Sequence, residues 1–288
     1  MDGQIRKWVI GGCLIVLLAG TQYLTGCTVV ETVLGEDRPS ASISGVRFAD
    51  LSTEDVSLEF DVNVNNPYPL ALPLLNTTYS LASGEESFMN GQADLQGSVP
   101  AGGSRTVTVP ARVNFMRLLD AVKGVRPGQV VPYAAQIDLG IDVPGLGEQT
   151  LPVRKEGELP VPTTPKVDVN NIKWDRLSIQ EARGSVDLAI GNTNEFPIGL
   201  KTFDYRLELG GTEVAQSVID QGLELKPGGT GNLKIPLSIS PTKLGLAVLN
   251  ILRGDEAGYR IRGNMEASTP FAPITLPLDS SGKTRIEH

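Results

Sequence analysis

The 288-residue chain has few of the side chains that carry most enzyme chemistry. Its one histidine is the last residue, His288, and its only cysteines, Cys13 and Cys27, lie near the start. The body of the chain therefore has no imidazole, thiol or disulfide to offer. That removes Ser-His-Asp and Cys-His catalysis, zinc chelation and dithiol redox chemistry together. Positive charge is also in the minority, with 25 Lys and Arg against 33 Asp and Glu, a net charge of −8. A chain without basic runs is a poor phosphate ligand, so neither nucleic acid nor an anionic lipid surface is expected to bind it through charge. No cofactor-binding or metal-binding pattern emerges: "GLG" at 145–147 and "GGTG" at 228–231 complete no phosphate loop, and the carboxylates lack ligand spacing.

The N-terminus reads as an export signal. Arg6 and Lys7 precede an apolar run from Trp8 to Ala19, which is shorter than the roughly 20 residues a membrane span needs. Leu24, Thr25, Gly26 and Cys27 follow, and this tetrapeptide resembles the lipobox of bacterial lipoproteins. The resemblance implies removal of residues 1–26, a lipid on Cys27 and anchorage in a bacterial cell envelope. Two alternatives are weaker. "IGGC" ending at Cys13 has only Trp8, Val9 and Ile10 before it, and an uncleaved anchor running on to Val30 is interrupted by Thr21 and Gln22. Loss of Asp2, Arg6 and Lys7 takes the net charge from −8 to −9. Thr28, where an Asp would signal retention in enteric-type bacteria, implies the outer membrane, facing the periplasm.

The rest of the chain is one unit written twice, at an offset of 126 residues. "VRFADLS" (46–52) lies over "IKWDRLS" (172–178), Asn66 over Asn192, and "AGGSRTVTVP" (101–110) over "PGGTGNLKIP" (227–236). Leu118, Val122, Tyr133 and Pro144 meet Leu244, Val248, Tyr259 and Pro270 without a gap. Each unit is patterned as strands. Val56, Leu58, Phe60, Val62 and Val64 alternate with polar residues, as do Val186, Leu188 and Ile190, the period of a sheet with one buried face. One helix is predicted per unit. Phe115, Leu118, Leu119 and Val122 share a face in the first, and Ser240 caps the second ahead of Pro241. Many short strands with regular turns point to a mainly β fold of two sandwiches. The expected divisions are signal peptide 1–26, stalk 27–42, sandwich 43–155, Pro-rich linker 156–166, sandwich 167–280 and tail 281–288.

A strand ending in Asn-Pro, a Tyr-x-Leu strand, the "PAGGSRTVTVP" turn and a helix together resemble the WHy (water stress and hypersensitive response) domain of the type 2 late-embryogenesis-abundant family. The likeness covers roughly 43–155 and 167–280. The second unit departs from it at Asn192-Thr193-Asn194, which has no partner for Pro67. The resemblance implies fibronectin-III or immunoglobulin-like β-sandwiches and a role in desiccation or stress tolerance, with no catalytic residues to carry over.

"NPYPLALPL" (66–74) and its counterpart "NTNEFPIGL" (192–200) share an asparagine, a proline-bearing bend and re-entry into apolar sequence. A structural turn is the expected reading. The alternative is a partner-contact loop built from Asn66, Pro67, Tyr68, Leu70, Leu72, Asn192 and Phe196. The expected function is that of a lipid-anchored, non-enzymatic envelope protectant. It would shield unfolding client proteins or the membrane surface, with strand edges or the asparagine loops holding clients weakly. The rival is an envelope scaffold or binding module for one specific protein partner or apolar ligand.

Overall fold

The computed structural model describes residues 37–220, 222–244 and 246–288. Cys13, Cys27 and the lipobox residues Leu24, Thr25 and Gly26 lie outside the described residues. Copy one runs β1 (Ser40–Leu51), β2 (Asp55–Asn65), β3 (Leu72–Ser83), β4 (Glu86–Asp94), β5 (Ser98–Val99), β6 (Ser104–Asn114), α1 (Phe115–Ala121), β7 (Val130–Val143) and β8 (Gly147–Pro160). Copy two runs β9 (Lys166–Leu177), β10 (Ala182–Gly191), β11 (Ile198–Leu209), β12 (Thr212–Ile219), β13 (Leu223–Leu225) and β14 (Thr230–Ile239). It continues with α2 (Pro241–Leu244), α3 (Leu246–Leu252), β15 (Glu256–Ser268) and β16 (Pro273–Glu287). The repeat seen in the sequence is thus a repeat of elements: β9 and β11 begin and end 126 residues after β1 and β3.

The chain is two tandem β-sandwiches. In copy one, β1-β2-β6 form one sheet and β4-β3-β7-β8 the other, with β5 beside β3. Copy two builds the same two groups and then joins them. The end of β16 pairs in parallel with β9 (Arg285 with Asn171, Ile286 with Ile172, Glu287 with Lys173), so the sheets run on as one path. Alternation places the cores. Val56, Leu58, Phe60, Val62 and Val64 are fully buried, and Tyr133, Ala135, Ile137, Leu139 and Ile141 face them from the other sheet. Burying a side chain of this kind contributes roughly 1.5–3 kcal/mol, so the in-facing rows hold the sheets together. A one-residue slip would turn each of them outward.

Helix α1 follows its sequence signals: the Asn114 side chain accepts a hydrogen bond from Arg117 N at 3.2 Å, and Phe115 and Leu118 are buried beneath the helix. The second helix comprises α2 and α3 on either side of residue 245, which lies outside the described residues. The Ser240 hydroxyl just before it donates to the Gln180 carbonyl at 3.3 Å.

Three boundaries also move. The stretch 281–288, read as a tail, belongs to β16 as far as Glu287, because Ile286 N donates to Asp255 O and Thr284 and Ile286 are buried. Residues 156–160 of the linker are strand, since Leu159 has core to fill, and β1 starts at Ser40 within the expected stalk. The ungapped repeat ends at the last hairpin. Val143 faces Gly147 in copy one, whereas Ser268 faces Pro273 in copy two, whose loop is one residue longer. The slip exchanges faces. Val153 and Leu159 point inward from β8, while Ile274, Leu276 and Leu278 do so from β16, at positions equivalent to 148, 150 and 152.

Candidate functional site

Among the described residues the asparagine loops carry a buried polar network in each copy. Asn66 is 0% exposed. Its amide NH2 donates to the carbonyls of Leu70 (2.8 Å), Val99 (3.3 Å) and Pro100 (3.0 Å), while Oδ1 accepts from Tyr68 N at 3.0 Å. Asn192 repeats the set on equivalent atoms: Phe196 O (2.8 Å), Leu225 O (3.2 Å), Lys226 O (3.2 Å) and Asn194 N (3.0 Å). Only a side chain with both donors and acceptor can close the bend and tie it to the β5 or β13 segment at once. A buried amide left without these partners would cost about 1–3 kcal/mol. The asparagines are turn clamps, their side-chain polar atoms spent on main-chain groups of the bend and of the β5 or β13 segment.

The apolar members of the loop candidates are mostly interior. Tyr68, Leu72 and Phe196 are buried, Pro67 is half-buried, and Leu70 reaches the surface. At the position of Tyr68, copy two has Asn194, also buried, and this substitution changes the role of the loop. Asn194 Oδ1 accepts from Thr163 N at 2.8 Å and its amide donates to Thr163 O at 2.9 Å, gripping the segment between the copies. Next to it, Glu195 N donates to Gly128 O at 2.7 Å. The Glu195 carboxylate accepts from Val130 N (3.2 Å) and Gln129 Nε2 (3.3 Å). Gly128 has φ +96°, and a Cβ there would lie 2.9 Å from Thr193 O, so the contact requires glycine. Phe271 adds apolar contact, edge-on to Phe48 of copy one at 5.5 Å and to Phe196 at 5.6 Å. Sequence reasoning named Asn192 and Phe196 but missed Gly128, Gln129, Thr163, Asn194 and Glu195. A polar residue replacing Tyr68 within an otherwise apolar repeat was the available signal.

An open cleft of about 700 Å3 lies beside this junction, between Ala49–Asp55 with Arg112 of copy one and Lys201, Glu266, Ala267 and Pro273–Thr275 of copy two. Its rim is charged: Asp50, Glu54, Asp55 and Glu266 face Arg112 and Lys201, with Arg112 Nη2 2.7 Å from Asp55. Among the described residues no group of three or more His, Cys, Asp or Glu is placed to hold a metal. Ionisation is perturbed mildly elsewhere. Burial pushes the Tyr79, Tyr133 and Tyr205 hydroxyls up, and on the outer face of β16 the hydrogen bond from Arg260 holds Asp279 below the usual carboxylate range.

The profile of the family described as Late embryogenesis abundant protein (LEA_2) matches residues 61–157 and again 187–282, with starts 126 residues apart. The chain belongs to this family. It is LEA_2 twice over, and its curated relatives are about one copy long. The desiccation protectant protein Lea14 homolog of Glycine max is 31% identical over 135 residues, 47% of this chain and 89% of its own. The late embryogenesis abundant protein Lea14-A of Gossypium hirsutum is 30% identical with the same coverage. Among solved structures, that of AT1g01470 from Arabidopsis thaliana is 28% identical over 44% of this LEA_2 chain and 84% of its own, with a TM-score of 0.37.

Proposed function

We propose that this LEA_2 protein is a non-enzymatic protectant against water loss, of the WHy type, held on a bacterial cell envelope by lipid on Cys27. The observation that carries the reading is the double family match, on both sandwiches, together with one relative named a desiccation protectant and others named desiccation-related. The lipobox at Leu24–Cys27 supports the anchor, and Thr28 supports the outer membrane with the sandwiches in the periplasm. Its action is physical. Two tied, acidic β-sandwiches keep partly unfolded proteins, or the membrane surface, apart as water is withdrawn, and their charge keeps them solvated. No cofactor takes part.

The test is to dry or freeze and thaw an aggregation-prone enzyme with the chain from Thr28 onward, beside an equal mass of an unrelated acidic β-sandwich. Protection above that control is expected; protection equal to it sinks the reading. Palmitate labelling lost on Cys27→Ser is the expected result for the anchor. The charged cleft between the copies favours one second reading, an envelope scaffold for a specific protein partner, and a single stoichiometric crosslink in cells would select it.

A further inference from the structure

We propose that the free edge of β12 is the place where this protein takes up a client, by adding an extended segment of an unfolding polypeptide as an extra strand. The inference rests on the protectant reading and names its site.

Among the described residues the sheets end on β1, β4, β6, β8, β12 and β14. Most of these edges are blunted by devices that discourage a further strand. Pro110 interrupts β6, Pro236 interrupts β14 and Pro152 interrupts β8, each removing a main-chain donor. β1 has register shifts at Ile43/Gly45 and Phe48/Asp50. β4 has helix α1 packed against it, its Glu86 carboxylate accepting from Lys123 N at 2.9 Å, and Gly91 weakens its middle.

β12 has no proline or lysine; its one register shift, at Leu207/Glu208, lies near its start beside Val214, and from Ala215 to Ile219 it is regularly paired and without charge. The C-terminal part of this run, "QSVI", is open to solvent at Gln216, Ser217 and Val218, with Val218 59% exposed. β11 takes its inner side from Leu209 to Phe203, and among the described residues no strand pairs with its outward N–H and C=O groups. An uncharged, β-branched stretch of this kind is the composition that accepts a strand.

The charges at its ends choose the occupant. Glu213 precedes the run and Asp220 follows it. A second copy pairing antiparallel about Gln216 and Ser217 would set Glu213 opposite Asp220, like charge against like. A neutral segment with basic ends meets the opposite situation. Main-chain recognition also ignores sequence, as a general protectant requires, so the occupant is an unfolded segment and not a second copy.

The test uses the full chain in mild detergent and the peptide Lys-Lys-Thr-Val-Thr-Val-Thr-Lys-Lys, natural or N-methylated at alternate residues. Hydrogen exchange is read along the protein. The natural peptide should slow exchange at residues 214–219 by about five-fold or more, and the N-methylated peptide, which lacks the donors, should not. Val218→Lys, at an exposed position that leaves the fold intact, should abolish the slowing and lower protection in the drying assay. Unchanged exchange at β12, equal slowing by the N-methylated peptide, or slowing that rises with protein concentration alone would overturn the proposal. If Val218→Lys loses the slowing yet protects as well as wild type, the edge falls as the client site and the protectant reading stands. If wild type shows the slowing but gives no protection beyond the control, the protectant reading alone fails.

Discussion

Asn66 and Asn192 make the same four hydrogen bonds, yet the loops they close differ in what they reach. In copy one the residues after the asparagine are Pro67, Tyr68 and Pro69: two lack an N–H, and the third buries its ring. In copy two they are Thr193, Asn194 and Glu195, and the last two bond outward to Gly128, Gln129, Val130 and Thr163. One backbone solution serves first as a closed cap and then as a latch onto the preceding sandwich. The duplicated clamp holds each fold, and in copy two Asn194 and Glu195 reach from the loop to the preceding segment and sandwich.

The largest expected effect tests what the copies share. Asn66→Ala and Asn192→Ala each leave several buried main-chain groups without partners, and each should cost about 3 kcal/mol in urea unfolding. A loss confined to one copy would break the equivalence. Next comes the difference. Asn194→Ala should cost about 1–2 kcal/mol and separate the unfolding of the two sandwiches, seen as a second transition by fluorescence, while Leu70→Ala in the other loop should change little. The third effect is smaller. Trp174 stands where copy one has Phe48, and among the described residues its buried indole Nε1 has no hydrogen-bond partner. Trp174→Phe removes that orphan while leaving a small void, so stability in urea unfolding should stay within about 1 kcal/mol of wild type.

The smallest effect is set by pH. Asp279 is held below its ordinary value of 3.8 by Arg260, so its folded pKa lies under its unfolded one. Its contribution is present above the unfolded value and is lost as pH falls through the folded value, so Asp279→Asn should flatten stability only in that acid window. Both partners are solvent-exposed, and the effect should shrink further in salt.

Much of this was legible in the sequence. The alternation of Val56 to Val64 and of Tyr133 to Ile141 gave the strands and their inner faces, and the repeat fixed which loop answers to which. The missed features depend on contacts between distant segments. Nothing local in "SSGKTRIE" announces a strand, because its place is set by parallel pairing with β9. The extra loop residue before Pro273 reverses the faces of β16, which an ungapped comparison ending at Pro270 could not register. The latch was hidden for the same reason. Asn194 reads as a loop residue until Thr163, 31 positions away, is seen on its side chain.

One calorimetric measurement bears most directly on this contrast. Thr193→Pro, Asn194→Tyr and Glu195→Pro together write the loop of copy one into copy two while keeping the Asn192 clamp. The wild-type sandwiches should melt in one transition, and the exchanged variant should melt in two. A single unshifted transition in the variant, or two already in the wild type, would contradict a latch built from Asn194 and Glu195.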